Sequence, residues 1–424
     1  MARIAFAWEL GGELGHAMAC NTIGRALHAR GHRIAFVFRE LHQLALLGDY
    51  AAHDVFQAPT PVAERTDKSV VYSTFADIML GRGYDRPAHL AGLLGAWIAI
   101  FGHWKPDLVV ADFAPTALLA ARALGLRRVA YGNGFSVPPR LTPMPSFRFD
   151  AVVAADLVRE ADARALRNVN EALVSLGAPV LETLAQQLET DEDFLATFPE
   201  LDSYGNRPTA RYWGPRVNFG AGAPVSWPGG TGKRIVVYVK NDFVHMDALI
   251  DVLAGSPHRV AAYIPGLEAS RAARLRSPNR VVSDKPMHLA PLVRDCDLFV
   301  SHGGNVCAGA LMAGVPQLVF PMQFEQYITA RRIEQIGAGT WVGIAAKPGE
   351  VPAALSRVLA EPSFGAVAKA FALRYSAYTP EEHRGRIVRR IEEIVAAPSQ
   401  WSALPHAGAA PILSATSTIQ GASQ

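Results

Sequence analysis

Apolar positions in this chain fall into two kinds of run that alternate. Short, nearly continuous apolar runs occupy Arg3 to Trp8, Arg33 to Phe38, Asp107 to Asp112 and Arg128 to Tyr131. Between them lie longer stretches with a helical period, such as His16 to Arg30, closed by Gly31. Unbroken apolar strands separated by helices predict a parallel sheet covered on both faces. The pattern returns at Arg234 to Lys240, Arg259 to Ile264, Arg280 to Ser283, Leu298 to His302 and Gln317 to Phe320. Two such series predict an α/β protein with two doubly wound, Rossmann-like domains. A single (β/α)₈ barrel is the structural alternative, and the Pro- and Gly-rich stretch from Pro199 to Gly232 argues against it. The expected division is a first domain over 1–205, a linker over 206–232 and a second domain over 233–378. A helix over 379–397 follows, and then a Ser-, Ala- and Gly-rich tail over 398–424, expected to be disordered.

Composition narrows the function. With 424 residues, two or three domains are expected. Hydrophobic residues make 50% and charged residues 19%, enough for well-built cores. A net charge of +3 excludes a general nucleic-acid binder. The longest apolar run, Leu90 to Phe101, falls short of the ~18 residues a membrane span needs and reads as a buried helix. At the N-terminus, Glu9 and then glycines come too early for a signal peptide. Cys20, Cys296 and Cys307 are odd in number and far apart, which points away from disulfides and zinc and toward a cytoplasmic setting. The run Asp191-Glu192-Asp193 reads as a solvated acidic stretch rather than a metal motif. The arginine clusters 271–280 and 384–390 read as solvated helix faces, so membrane contact is not favoured.

Chemistry concentrates in three places. The first is the loop Glu9-Leu10-Gly11-Gly12-Glu13-Leu14-Gly15-His16, between a strand and a helix. It lacks the dinucleotide spacing G-x-G-x-x-G. His16 stands at the ligand-binding edge of the predicted sheet, as a base or simply as a capping residue. The second is Asp112, at the same edge, either a partner for an imidazole or a cap for the helix near Pro115. The third runs from Ser301 to Pro316 and opens with His302, Gly303, Gly304 and Asn305. Two glycines before a helix make a ready anion site. Glu325 and Gln326 follow one strand later and can bind hydroxyl groups.

Taken together these residues resemble the UDP-glycosyltransferase family. The match runs through His302-Gly303-Gly304, Gly314-Val315-Pro316, Pro321, Glu325-Gln326, Arg331-Arg332 and Gly337-Ala338-Gly339. Gly15-His16, Arg30-Gly31-His32, Lys105-Pro106-Asp107 and Gly214-Pro215 add to it in order, over about residues 1 to 395. The resemblance implies a GT-B fold, two domains facing a cleft, with the last helix crossing back to the first. It implies that His16 is the general base and Asp112 the acid that orients it. His302, Gly303, Gly304 and Asn305 would hold the diphosphate, and Glu325 and Gln326 the donor sugar. The family's Ser or Thr after the glycines is replaced by Val306, and its ribose-holding Glu by Gly309. Its Gly-Ser turn after the second domain's first strand is replaced by Lys240-Asn241-Asp242, which makes Lys240 and Asn241 candidate phosphate contacts. Trp8, Phe75 and Phe135 are candidate walls of an acceptor site.

The implied reaction is inverting sugar transfer from a UDP- or dTDP-linked donor to a small-molecule or lipid acceptor. The nucleotide sugar is then a substrate, and no cofactor or metal is expected. Competing expectations are a helper or binding protein without turnover and a nucleotide-sugar epimerase on the same fold. An NAD enzyme resting on Glu40 is weaker still, for want of the dinucleotide spacing.

Overall fold

The computed structural model describes every residue except 13, 46–47, 49–51, 62–71, 218, 220–221 and 402–424. Two six-stranded sheets carry the chain. The first is built from β1 (Arg3–Trp8), β2 (Arg33–Phe38), β3 (Asp54–Gln57), β4 (Leu108–Asp112), β5 (Arg127–Gly132) and β6 (Glu192–Leu195). The second uses β7 (Arg234–Tyr238), β8 (Arg259–Tyr263), β9 (Arg280–Ser283), β10 (Leu298–Ser301), β11 (Gln317–Val319) and β12 (Gly339–Trp341). Their orders are β3-β2-β1-β4-β5-β6 and β12-β11-β10-β7-β8-β9, with every named pair parallel. Each order reverses once, between β1 and β4 and between β7 and β10, which is where such sheets bind ligands.

Side chains alternate between the two faces of each sheet, so both faces are apolar. On β1, Ala5 and Ala7 join one buried cluster, while Ile4, Phe6 and Trp8 join the other. The helix Pro87–Trp104 buries Leu90, Leu94, Trp97 and Phe101 on the first sheet. No helix among the described residues is long and apolar enough to cross a membrane.

Three strands escape the sequence pattern, and each is at a sheet edge. β12 is three residues long, too short to show a period. β3 is only half-buried, so it has no continuous apolar run. β6 contains the acidic stretch read as solvated, and the structure corrects that reading. Asp191 accepts from the Arg128 amide (2.9 Å), Glu192 from Arg390 Nε (2.9 Å) and Asp193 from Thr190 Oγ1 (2.7 Å). Charge on an edge strand also blocks pairing with another chain.

The final helix, Pro380–Ala396, packs Ile387, Val388, Ile391 and Ile394 against Ile23, Leu27 and the strands of the first sheet. The start of the tail is also packed. Trp401 donates Nε1–H to Asp191 Oδ2 (2.8 Å), and the Arg128 guanidinium lies 3.7 Å from its ring centroid. The disorder expected from 398 therefore does not hold for 398–401, and the rest of the tail lies outside the described residues.

Candidate functional site

In the first sheet, β1 and β4 are neighbours, and Trp8 pairs in register with Asp112. The loop leaving β1 is tied to the loop leaving β4. Leu10 donates its amide to Phe113 O (2.9 Å), and the buried Glu9 accepts from the Thr116 amide (2.9 Å) and hydroxyl (2.5 Å). Burial pushes the Glu9 carboxyl up to about 7 against the lowering effect of those hydrogen bonds. Gly11 has φ +75°, and a Cβ there would come within 2.7 Å of His16 Nε2, so this position needs glycine for two reasons.

His16 lies in the first turn of the helix Leu14–His28. Its Nδ1 is 3.0 Å from Asp112 Oδ1. A carboxylate only accepts, so Nδ1 donates here, which in the neutral ring leaves the lone pair on Nε2. The ring is stacked between Trp8 (5.4 Å, 15°) and Phe113 (6.4 Å, 27°). Phe113 holds a left-handed φ of +48°, a strained conformation for a large side chain. The imidazole is 15% exposed and Asp112 is fully buried, so only a small part of the ring reaches solvent. An imidazole so fixed can take a proton at Nε2, with Asp112 stabilising the cation.

The residue that sequence reasoning missed is Arg216. It belongs to the stretch taken as linker, yet its Nη1 donates to Asp112 Oδ2 at 2.6 Å. Burial opposes ionisation of Asp112, but Arg216 and His16 outweigh it and hold the carboxyl below its ordinary range. The Cys20 thiol, 3.7 Å from the same oxygen, is pushed up by burial and by that charge.

The second sheet repeats the plan. β7 and β10 are neighbours, with Tyr238 opposite Ser301. Gly303 (φ +106°) and Gly304 (φ +77°) bring the chain into the helix Asn305–Met312, whose N-terminus has no side-chain cap. Nothing lies within 4 Å of where a Gly304 Cβ would be, so there is room beside this turn, and a helix start leaves its first amides without partners inside the helix.

His302 has partners at both ring nitrogens. Nδ1 donates to Phe320 O (2.7 Å), and Nε2 accepts from the Lys240 amide (2.7 Å). Both nitrogens bond backbone, so the ring ties the loop after β7 to the loop after β11. Asn241 is also engaged, with Oδ1 accepting from Arg271 Nη1 (3.2 Å). Arg271 and Arg274 otherwise meet Asp247, each at 2.7 Å.

Glu325 and Gln326 have partners within the protein. Glu325 Oε1 accepts from Asn133 Nδ2 (2.6 Å), across from the first half of the chain. Gln326 Oε1 caps its own helix, accepting from the Met322 (2.9 Å) and Gln323 (3.2 Å) amides. The proposed acceptor walls are corrected too. Trp8 and Phe75 are 0% and 1% exposed and Phe135 is 8%, leaving almost no surface to present. They belong to the two apolar clusters that cover the first sheet. Rings instead form a buried path from Phe113 to Phe135 (5.9 Å), Phe147 (5.3 Å) and Phe324 (5.4 Å) in the second half.

Residues 247–393 match the family model described as erythromycin biosynthesis protein CIII-like, C-terminal domain. The chain is 33% identical over 120 residues to TDP-daunosamine transferase DnrS of Streptomyces peucetius, an alignment covering 27% of each chain. The sequence match thus spans about a quarter of that relative. Structural likeness is far more extensive. The glycosyltransferase of kitacinnamycin superposes with a TM-score of 0.68 at 19% identity, over 92% of this chain and 98% of that one. VinC, solved in complex with dTDP, does so with 0.63 at 17% identity, over 93% and 100%. The two sheets are therefore arranged in the GT-B fold.

Proposed function

We propose that this chain, which shares the GT-B fold and in part the sequence of glycosyltransferases such as TDP-daunosamine transferase DnrS, moves a sugar from a nucleotide diphosphate donor to a hydroxyl of a small natural-product acceptor. The observation that carries this is the His16–Asp112 pair at the first sheet's reversal, with Nδ1 facing the carboxylate and Nε2 turned away from it. His16 takes the acceptor's proton as the hydroxyl attacks, and Asp112 steadies the imidazolium. Attack opposite the leaving group inverts the anomeric carbon. Charge then develops on the nucleoside diphosphate, and the open amides at Gly304 and Asn305 stabilise it. The acceptor lies against residues 1–205 and the donor against 233–378.

For the donor, a dTDP sugar fits better than a UDP sugar. Where the family places a ribose-holding carboxylate, this chain has Gly309, and a Cβ there would meet Phe219 (2.5 Å) and Val217 (2.8 Å). An apolar wall without a carboxylate suits a deoxyribose, which has one hydroxyl fewer to be held. DnrS is a TDP-daunosamine transferase, and VinC was solved in complex with dTDP.

The test is incubation with paired dTDP and UDP sugars and a set of hydroxylated polycyclic acceptors, with mass spectrometry of the acceptor. A glycoside formed with release of nucleoside diphosphate is expected, faster from dTDP donors. An epimerised donor without glycoside, or no thermal stabilisation by any nucleoside diphosphate at 100 times a micromolar Kd (about 2.7 kcal/mol for a binder), would overturn it.

A further inference from the structure

The scheme above gives Arg216 no task, although its surroundings are closely built. Its side chain is 5% exposed, and its guanidinium lies 5.0 Å from the Tyr131 ring centroid while bonding Asp112. The backbone that carries it is fixed from the other end of the chain. Tyr378 donates its hydroxyl to Pro215 O, and His383 Nδ1 donates to Trp213 O (2.9 Å). Asp112 thus divides its two oxygens between His16 and a cation delivered by the segment joining the two halves.

We propose that Arg216 is a positioning residue that tunes the His16–Asp112 dyad, lowering the pH at which the pair takes up a proton and so keeping His16 available as a base. This rests on the transferase reading for its purpose, but not for its physics. A buried carboxylate must be balanced by a positive charge. If Arg216 balances it, neither a proton on His16 nor one on Asp112 is needed. Without Arg216 the balance falls to a proton, and the coupled pair binds one at higher pH.

The other groups facing the pair are few. Cys20 of the first helix faces Asp112 and is held protonated by burial. Tyr131 of β5 faces Arg216, and burial pushes its phenol far up, so it stays neutral. His383 and Arg386 of the last helix lie beyond Arg216, and burial holds His383 down at about 4, so it is neutral near pH 7. Tyr378 interacts with Tyr131 and is itself pushed above its ordinary range by burial. Trp8 and Phe113 cover the faces of the His16 ring and carry no charge. Arg216 is thus the fixed charge that meets Asp112 directly.

The experiment follows the pH at which the His16 ring signals move, by NMR of histidine-labelled protein without substrate, in the wild type, Arg216→Gln and Arg216→Lys. The signals are assigned by their loss in His16→Gln. In Arg216→Gln the midpoint should rise by about one pH unit or more, a tenfold gain in proton affinity. In Arg216→Lys, which keeps the charge on a shorter reach, it should rise less. The acid limb of kcat/KM should move with the midpoint while KM for the donor stays put. An unchanged midpoint in Arg216→Gln, or equal rises in both variants, would overturn the proposal. If Arg216→Gln does not fold, Arg216→Lys decides alone: a rise supports tuning, and no rise or a fall overturns it. Because the NMR arm needs no reaction, a raised midpoint without any glycoside sinks the transferase reading only. Glycoside formation with a fixed midpoint sinks the tuning only.

Discussion

At the scale of single residues, the site turns on how Asp112 and Glu9 are paired. Asp112→Asn keeps the shape but offers His16 the wrong hydrogen-bonding partner. Turnover should fall by about 10³-fold or more, with donor affinity by calorimetry unchanged. Glu9 supplies a stability test. Its carboxyl is at about 7 in the fold against 4.5 as the ordinary value, so the folded state holds its proton more tightly. The stability it contributes is complete below about 4.5 and is lost as pH rises through about 7. Glu9→Gln should therefore gain on the wild type across that window, by up to about 3 kcal/mol, in denaturant unfolding at pH 5 and pH 8. His16 and Asp112 were legible because a histidine and an acid ended neighbouring strand-to-loop units at the ligand edge of a parallel sheet. Arg216 was not. An arginine in a Pro- and Gly-rich stretch reads as solvated, and only the folded path shows that it points inward to a carboxylate 104 residues away in sequence.

At the scale of elements, the turn after β7 and the turn after β10 form one unit, because His302 bonds the Lys240 amide. Lys240 is half-buried, and through His302 its backbone is tied to the turn that opens the Asn305 helix. If it serves the donor phosphates, Lys240→Ala should weaken nucleoside diphosphate binding about tenfold in calorimetry, and an unchanged Kd would remove it from the site. The glycine-rich opening of this helix could be read from the sequence, since two glycines before a helical period have few other uses. The fate of the polar side chains around it could not. Whether His302, Glu325 or Gln326 meets a ligand or a neighbouring loop depends on loop positions that strand periodicity does not encode. The last helix carries its own test. His383 is held at about 4, chiefly by burial, below its ordinary 6.5. Its contribution is present above 6.5 and is lost as pH falls through about 4. His383→Gln should gain on the wild type over that interval, by up to about 3 kcal/mol, with urea unfolding at pH 7 and pH 4.5 as the check.

At the scale of the whole molecule, the two-sheet plan was legible because buried parallel strands leave uninterrupted apolar runs. The edge strands β3, β6 and β12 were lost for the converse reason, being half-exposed, acidic or very short. The halves are also joined in ways that a linear reading separates. The chain crosses between them twice, once before Arg216 and once before Pro380, and the two crossings touch. Tyr378 reaches Pro215, and Gly214 has φ +88° with no room for a Cβ, which would lie 2.1 Å from the Tyr378 ring. A single strand joining two bodies allows bending and twisting alike. Two strands clasped side by side resist torsion and leave one soft rotation, about the line through both. Any opening between the halves should therefore follow that line, like a book along its spine, with little twist.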